Sequence, residues 1–477
     1  MNKIRFLLTT IAVLLCSVWT KAHDFEVDGI YYNITSETDL TVEVTYKGTS
    51  FSSAAYSGIV TVPKSVKYNE EIYSVSRIGN WAFYFCPALT EISIPNSVVY
   101  IGEEAFCACT SLTNITIPES VLSIGYDAFY ECRKLPVEDY VIYAGNWAVG
   151  ITNMEQSSYT LRTNTVGLAD WLFYGNRCTN VLSVEIPNTV KYIGSNTFYG
   201  CSSLTSIIIP NSVTTIGSGL FAYCTNLTNF IMKGTTPISV STMTNFNSSA
   251  TLTVPNGSAK AYSDMGGFWG QFASIKEEAN VNISEENMWS TCVLAFDAEL
   301  PEGVRAFISM GMDENSVLLE EVTTLEAYKP YVLYAQNGYE GTLSGVVDLT
   351  AYQETVTDGV LSGAIVKQEA SSGYILQNQG QGSKFYNMNG QTFTIPAGKC
   401  WLSAFDAGAS SVTMRFTGGV TGIEGVYMER PTGVEGADML YDLEGRRVEN
   451  PLPGRVYIKG GKKVMLKNRE FKRDTNI

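Results

Sequence analysis

One histidine in 477 residues leaves little room for the commonest enzyme devices. A Ser-His-Asp or Cys-His arrangement needs an imidazole held on a scaffold against its nucleophile. His23 stands near the start of the chain, outside any patterned segment. Zinc sites built on imidazole lose support with it. Basic charge is also scarce: 32 Lys and Arg face 47 Asp and Glu, giving a net charge of −15. Such a chain repels phosphate backbones and anionic lipid, so no nucleic acid is expected as a partner. No G-x-x-x-x-G-K-[ST] loop occurs, and "GQGSKF" at 380–385 misses G-x-G-x-x-G because Phe385 takes the last glycine position. Long apolar runs are absent after residue 18, so no transmembrane segment is expected beyond the leader.

Acids are plentiful, but the adjacent pairs Glu103-Glu104, Glu285-Glu286 and Glu320-Glu321 point to opposite faces of a strand and read as solvated. A glycosidase needs two carboxylates facing a cleft about 5 to 9.5 Å apart, a separation that sequence spacing does not reveal. The chain therefore reads as a non-enzyme, with no cofactor and no metal: Cys107-Ala108-Cys109 has no second cluster to complete four zinc ligands.

Residues 1–22 read as a signal peptide: basic Lys3 and Arg5, an apolar run from Phe6 to Val18, then Thr20-Lys21-Ala22 as a small-residue cleavage site. A lipoprotein anchor at Cys16 is the rival reading, opposed by the large Leu15 before it. Loss of Lys3, Arg5 and Lys21, with no acid, takes the net charge from −15 to −18. Of 10 cysteines, 9 follow Cys16, an odd number, so at least one thiol lacks an internal partner.

What the chain has in abundance is repetition. Three columns recur every 23 residues: Gly79, Gly102, Gly125; Phe83, Phe106, Phe129; Cys86, Cys109, Cys132. They resume at Gly194 and Gly217, Phe198 and Phe221, Cys201 and Cys224. This is the signature of a solenoid. Between Leu135 and Val181 the spelling drifts over 46 residues, two periods, so the register is expected to survive through Tyr143 and Leu161. Pro63 to Pro95 spans 32, one period plus a nine-residue insertion around Tyr68 to Ser76.

Within a unit, Leu89, Ile92 and Ile94 form L-x-x-I-x-I, a short strand with Leu and Ile inward. Gly102 is expected to permit a tight turn, and Phe106 to fill the interior and stack on its copies. No coil buries this face alone, so coils pile into a parallel ladder. Stacked parallel side chains seldom present the dihedral of a disulfide, so the cysteines are read as free buried thiols behaving as small apolar residues, with disulfides the alternative.

A partner would meet the outward strand positions: Glu91, Ser93, Asn114, Thr116, Ser183, Glu185, Ser206, Ile208, Asn229 and Ile231. Ile208 and Ile231 form a small apolar patch, which serves either a ligand or a neighbouring cap or domain.

The string L-T-x-I-x-I-P-x-S-V-x-x-I-G-x-x-A-F-x-x-C resembles the leucine-rich repeat of BspA-like bacterial surface antigens over residues 60–275. "HDFEVDGIYYNI" at 23–34 resembles the cap that opens such arrays. "TLTVPNGSAKAYSDMGGFWGQF" at 251–272 resembles the closing cap, with Tyr262, Trp269 and Phe272 over the last rung. The resemblance implies extracellular adhesion, with a host matrix or cell-surface protein as the partner.

From about residue 280 the period vanishes, and short β-branched segments separated by Gly, Asn and Asp read as an all-β sandwich at 280–417. The last piece, 422–477, carries "MLYDLEGRRV" and "GRVYIKGGKKVMLK", two hairpins with turns at Glu444-Gly445 and Gly460-Gly461. They resemble the C-terminal sorting domains of type IX secretion cargo, although the chain runs ten residues past Lys467. Lys459, Lys462, Lys463, Lys467, Arg469, Lys472 and Arg473 make this end basic, a solvated hairpin face or a sorting contact.

The expected whole is mainly β: a leucine-rich-repeat solenoid with a parallel β ladder at 23–278, the sandwich, and a small C-terminal β domain. It reads as an exported, adhesin-like binding protein, extracellular or on the outer-membrane surface of a Gram-negative bacterium. The alternatives are a glycan binder using Trp147, Trp171 and Trp269 as stacking platforms, and a structural surface protein without a specific ligand.

Overall fold

A computed structural model describes residues 23–48, 54–174, 178–241, 243–313, 315–378, 383–403, 409–417, 440–441, 456–459 and 462–465. Residues 1–22, read as a signal peptide, with Cys16, residues 380–382 of "GQGSKF" and most of the tail, including the Glu444-Gly445 turn and the basic side chains, lie outside the described residues. The chain divides into two compact units, Met1–Thr253 with Tyr262–Ala273, and Val254–Ala261 with Ser274–Ile477. Strand Ser274–Ile283 thus belongs wholly to the second unit, where the sequence placed the boundary at 278.

The first unit is the solenoid. Two parallel ladders climb it. On one, Arg77 and Ile78 pair with Tyr100 and Ile101, which pair with Ser123 and Ile124. On the other, the L-x-x-I-x-I strands stack, with Ile92 opposite Ile115. The nine-residue insertion is a hairpin, Ser65–Tyr68 against Glu71–Ile78, turning through Asn69 and Glu70, both at positive φ.

Inside, the phenylalanines stand in file as expected. Phe83, Phe106 and Phe129 stack at 5.0 Å with interplanar angles of 7° and 10°. Phe173, Phe198 and Phe221 stack at 5.4 and 5.2 Å. Tyr56 starts the first file 4.5 Å from Phe83, its hydroxyl accepting from Tyr31 N–H and donating to the Thr45 carbonyl. At the far end Phe230 meets Phe268, Trp269 and Phe272 edge-on. The cap is pinned by Tyr262 Oη donating to Gly234 O at 2.9 Å and Trp269 Nε1 to Ile238 O at 2.8 Å.

Two expectations change in detail. The column glycines do not turn the chain: Gly79, Gly102, Gly125, Gly194 and Gly217 are not among the positive-φ residues. They are required because coils approach so closely. A Cβ on Gly102 would lie 2.5 Å from Asn80 N, and one on Gly217 2.3 Å from Ser195 N.

The drifted middle keeps its count but slips its register. Tyr143 belongs to an antiparallel hairpin, Val141–Ala144 against Trp147–Ile151, which replaces a regular coil. After it Tyr159, not Leu161, faces Val184, 25 residues on. Two extra residues between Phe173 and Cys178, relative to Phe106 and Cys109, absorb the difference.

All nine described cysteines are free and buried. Cys178, 23 residues before Cys201, joins the column. These thiols do more than fill space. Cys109, Cys132 and Cys224 donate to the carbonyls of Phe83, Phe106 and Phe198 at 3.1, 3.0 and 3.0 Å, and at Phe106 and Phe198 the thiol adds a second donor to the backbone N–H of Cys109 and Cys201. Burial pushes the Cys224 thiol up to about 12.

The second unit carries a ten-stranded sheet folded over one core, in which Trp289, Phe307, Val332 and Tyr334 meet Leu361, Phe385, Leu402 and Met414. Its flanks touch where Val293 N–H donates to Gly398 O at 3.0 Å. In the tail, Val456–Lys459 and Lys462–Met465 pair antiparallel, with Leu440–Tyr441 alongside.

Candidate functional site

The open strands put every second residue outward, and the ladder aligns those residues coil over coil. Glu91 lies opposite Asn114 and Ser93 opposite Thr116. Ser206 lies opposite Asn229 and Ile208 opposite Ile231. Ser183 and Glu185 stand opposite Ser158 and Thr160. The ten residues singled out in the sequence thus fall into two columns, in three pairing groups. The groups are divided by the hairpin at 141–151 and by the step from Ser183–Glu185 to Ser206–Ile209.

Six members of the columns escaped the sequence. Ile59 and Thr61 pair with Glu91 and Ser93, but the 32-residue spacing hid their coil. Ser158 and Thr160 were hidden by the two-residue slip. Thr251 and Thr253 pair with Asn229 and Ile231 inside the stretch read as a cap. A 23-residue step from Asn229 reaches Leu252, one residue past its mate Thr251, so the period alone misplaces that coil by one.

The outward positions of this surface carry two acids and no base. Its two acids are tied to neighbours: Asn114 Nδ2 donates to Glu91 Oε1 at 3.3 Å, and Thr160 Oγ1 to Glu185 Oε2 at 3.4 Å. Below it, Thr113 Oγ1 donates to Thr90 O and Thr228 Oγ1 to Thr205 O, each tying one coil to the next. Ile59 is 72% exposed and Ile208 48%. What such a surface offers is hydroxyl and amide hydrogen bonding around apolar anchors, a chemistry of binding. Among the described residues no group of three or more His, Cys, Asp or Glu is placed to hold a metal ion.

The residues weighed for other roles fall elsewhere. Trp147 and Trp269 are core side chains, 1% and 2% exposed, so neither is a sugar platform. Trp171 is half-buried between Tyr126, Tyr174 and Tyr199. His23, expected to lack a scaffold, packs edge-on against Tyr31 at 4.8 Å. Glu321 is held by Arg305 at 2.6 and 2.7 Å, and that guanidinium draws its carboxyl below the usual range. Glu320 and Glu321 are both exposed at the end of their strand, where no opposite face is buried.

No helix among the described residues is long and apolar enough to cross a membrane. Comparison with curated proteins found no match. Among solved structures, a leucine rich cell surface protein from Faecalibacterium prausnitzii is 25% identical over 49% of this chain and 65% of its own, with a TM-score of 0.26. A leucine-rich repeat protein from Bacteroides ovatus is 26% identical over 49% and 71%, with a TM-score of 0.25. A leucine rich repeat protein from T. pallidum is 22% identical over 51% and 95%, with a TM-score of 0.24. This chain therefore spans about two thirds, 65%, of the first of these structures. Residues 30–143 and 152–270, the stacked coils and their caps, match the BspA type leucine rich repeat region in six copies.

Proposed function

We propose that this chain is an exported, surface-displayed binding protein whose open strand face takes an extracellular protein partner. One observation carries the reading. Outward side chains of the open strands form two aligned columns of small polar groups, with Ile208 opposite Ile231 as an apolar pair. Repeat scaffolds present such faces because the buried columns hold the fold while the outward ones are free to vary. A mostly polar face with two acids and a few apolar anchors suits a protein surface better than an anionic polymer.

The test is the double variant Ile208→Asp with Ile231→Asp against a panel of immobilised extracellular matrix and cell-surface proteins. Affinity for the partner found with the natural chain should fall at least about tenfold, some 1.4 kcal/mol, at unchanged melting temperature. Binding that stays the same would remove this patch from the interface.

A further inference from the structure

The second unit holds a hollow whose lining differs in kind from the open strand face. Its volume is about 270 Å³, just under the usual span of small-molecule sites, which suits a ligand of one ring. Strands Trp289–Cys292, Tyr374–Asn378, Phe393–Ile395 and Lys399–Leu402 contribute its walls. They bring together groups far apart in the chain: Lys399 Nζ donates to Ser290 Oγ at 2.7 Å and to Thr291 O at 3.2 Å, across 109 and 108 residues. The crossing is fixed from below, where Cys400 N–H donates to Thr291 Oγ1 at 2.9 Å and that hydroxyl donates to Cys400 O at 3.3 Å.

Lys399 is the one charged side chain among the described residues of the lining, and no carboxylate stands with it. The four residues between Asn378 and Ser383, Gln379-Gly380-Gln381-Gly382, add no charge. Both bonds of the ammonium go to neutral oxygens, and an ammonium carries three donors, so one N–H and an unbalanced positive charge face the hollow. Net charge opposes this at long range, since the chain carries −15. Salt screens that field beyond about 8 Å, so direct contact with Lys399 decides inside the hollow. The remaining polar walls ask for hydroxyls. Asn287 and Thr394 present an amide and a hydroxyl at the exposed rim, and Ser290 Oγ, accepting from Lys399, keeps its own proton to donate. Phe393, half-buried, supplies a ring face against which the C–H side of a saturated ring can pack.

We propose that this hollow binds a small acidic sugar of the uronic-acid class, its carboxylate accepting from the third N–H of Lys399, its hydroxyls meeting Asn287, Ser290 and Thr394, and its ring lying against Phe393. The site lies wholly within the second unit and does not depend on the protein-binding role of the open strand face.

Calorimetric titration of the full chain with galacturonate, galactose and acetate tests this. Galacturonate should bind saturably at one site, with galactose and acetate each at least about tenfold weaker, because one lacks the charge and the other the hydroxyls. Lys399→Met keeps the length of the stem and should weaken galacturonate at least about tenfold while leaving galactose unchanged. Asn287→Ala, at the exposed rim, should weaken galacturonate about three- to tenfold and leave acetate unchanged. Absence of saturable heat with galacturonate, equal affinity for it and either of the other probes, or undiminished galacturonate binding by Lys399→Met or Asn287→Ala would each overturn the proposal. If Lys399→Met fails to fold, the ranking of the three probes and Asn287→Ala still decide.

Discussion

At the scale of single residues, the coils are joined by side chains that finish their neighbour's hydrogen bonds. Asn80 Oδ1 accepts from Glu103 N–H at 3.0 Å, and Asp170 Oδ1 accepts from Ser195 N–H at 2.8 Å in a later coil. The two do the same work, but the acid does it at a cost. Burial raises the Asp170 carboxyl from 3.8 to about 6, so the folded chain holds this proton more tightly than the unfolded one. Between pH 3.8 and 6 the native state binds more protons, so this group's contribution falls as pH rises through that window. Above it the ionised carboxylate costs on the order of 2 to 3 kcal/mol. Asp170→Asn keeps the acceptor and removes the charge. It should raise the melting temperature at pH 7.5 and flatten the stability profile between pH 4 and 6; profiles that run parallel for both proteins would contradict the assignment.

One element up, the coil shape is set by stacking rather than by local preference. Trp81, Glu104, Asp127, Trp171 and Asn196 occupy one slot in successive coils, and all are left-handed, with φ of 58°, 49°, 48°, 58° and 54°. Asp127 and Asn196 tolerate that conformation, but Trp81, Glu104 and Trp171 each lose on the order of 1 kcal/mol or more to it. The next coil holds them there: Trp81 N–H donates to Glu103 O at 3.0 Å, Glu104 to Tyr126 O at 2.9 Å and Asn196 to Ser218 O at 2.8 Å. The slot lies two residues after the column glycine and continues at Gly219, with φ of 65°, but its residue types vary too much to announce the conformation. The glycine column is the reverse case, plain in the sequence but with a different cause, since its Cβ would strike the backbone of the coil below. Gly102→Ala should therefore cost about 1 to 3 kcal/mol, as overpacking does. Gly270→Ala, with open space at its Cβ, should leave the melting temperature nearly unchanged. Equal effects would return Gly102 to a conformational role.

Across the array, a gap between Phe129 and Phe173 divides the ring file in two, while the backbone ladder continues through Asp170 N–H to Ile124 O at 2.8 Å. Stability in a stacked array is a sum over coils and their interfaces. Phe106→Ala should cost roughly 3 to 5 kcal/mol. Amide exchange should quicken most across residues 78–135 and least in strands Ser206–Ile209 and Asn229–Met232. A uniform rise across both halves would show that the file's gap is no boundary.

What the sequence alone determined is whatever recurs. A 23-residue period fixes the solenoid, the Phe and Cys columns, and the outward positions from Glu91 to Ile231, because each coil must place its apolar groups where its neighbours can bury them. Tertiary structure decided the rest, wherever one coil's fate depends on another's. It moved Tyr159 into the slot expected near Leu161, brought Ile59 and Thr61 into the columns, and gave the thiols their carbonyl partners. It also opened a cavity where a hairpin stands in for a coil. A period reports which residues are equivalent; only stacked backbones a few ångströms apart decide which of those equivalences survive an insertion, and which gaps remain unfilled.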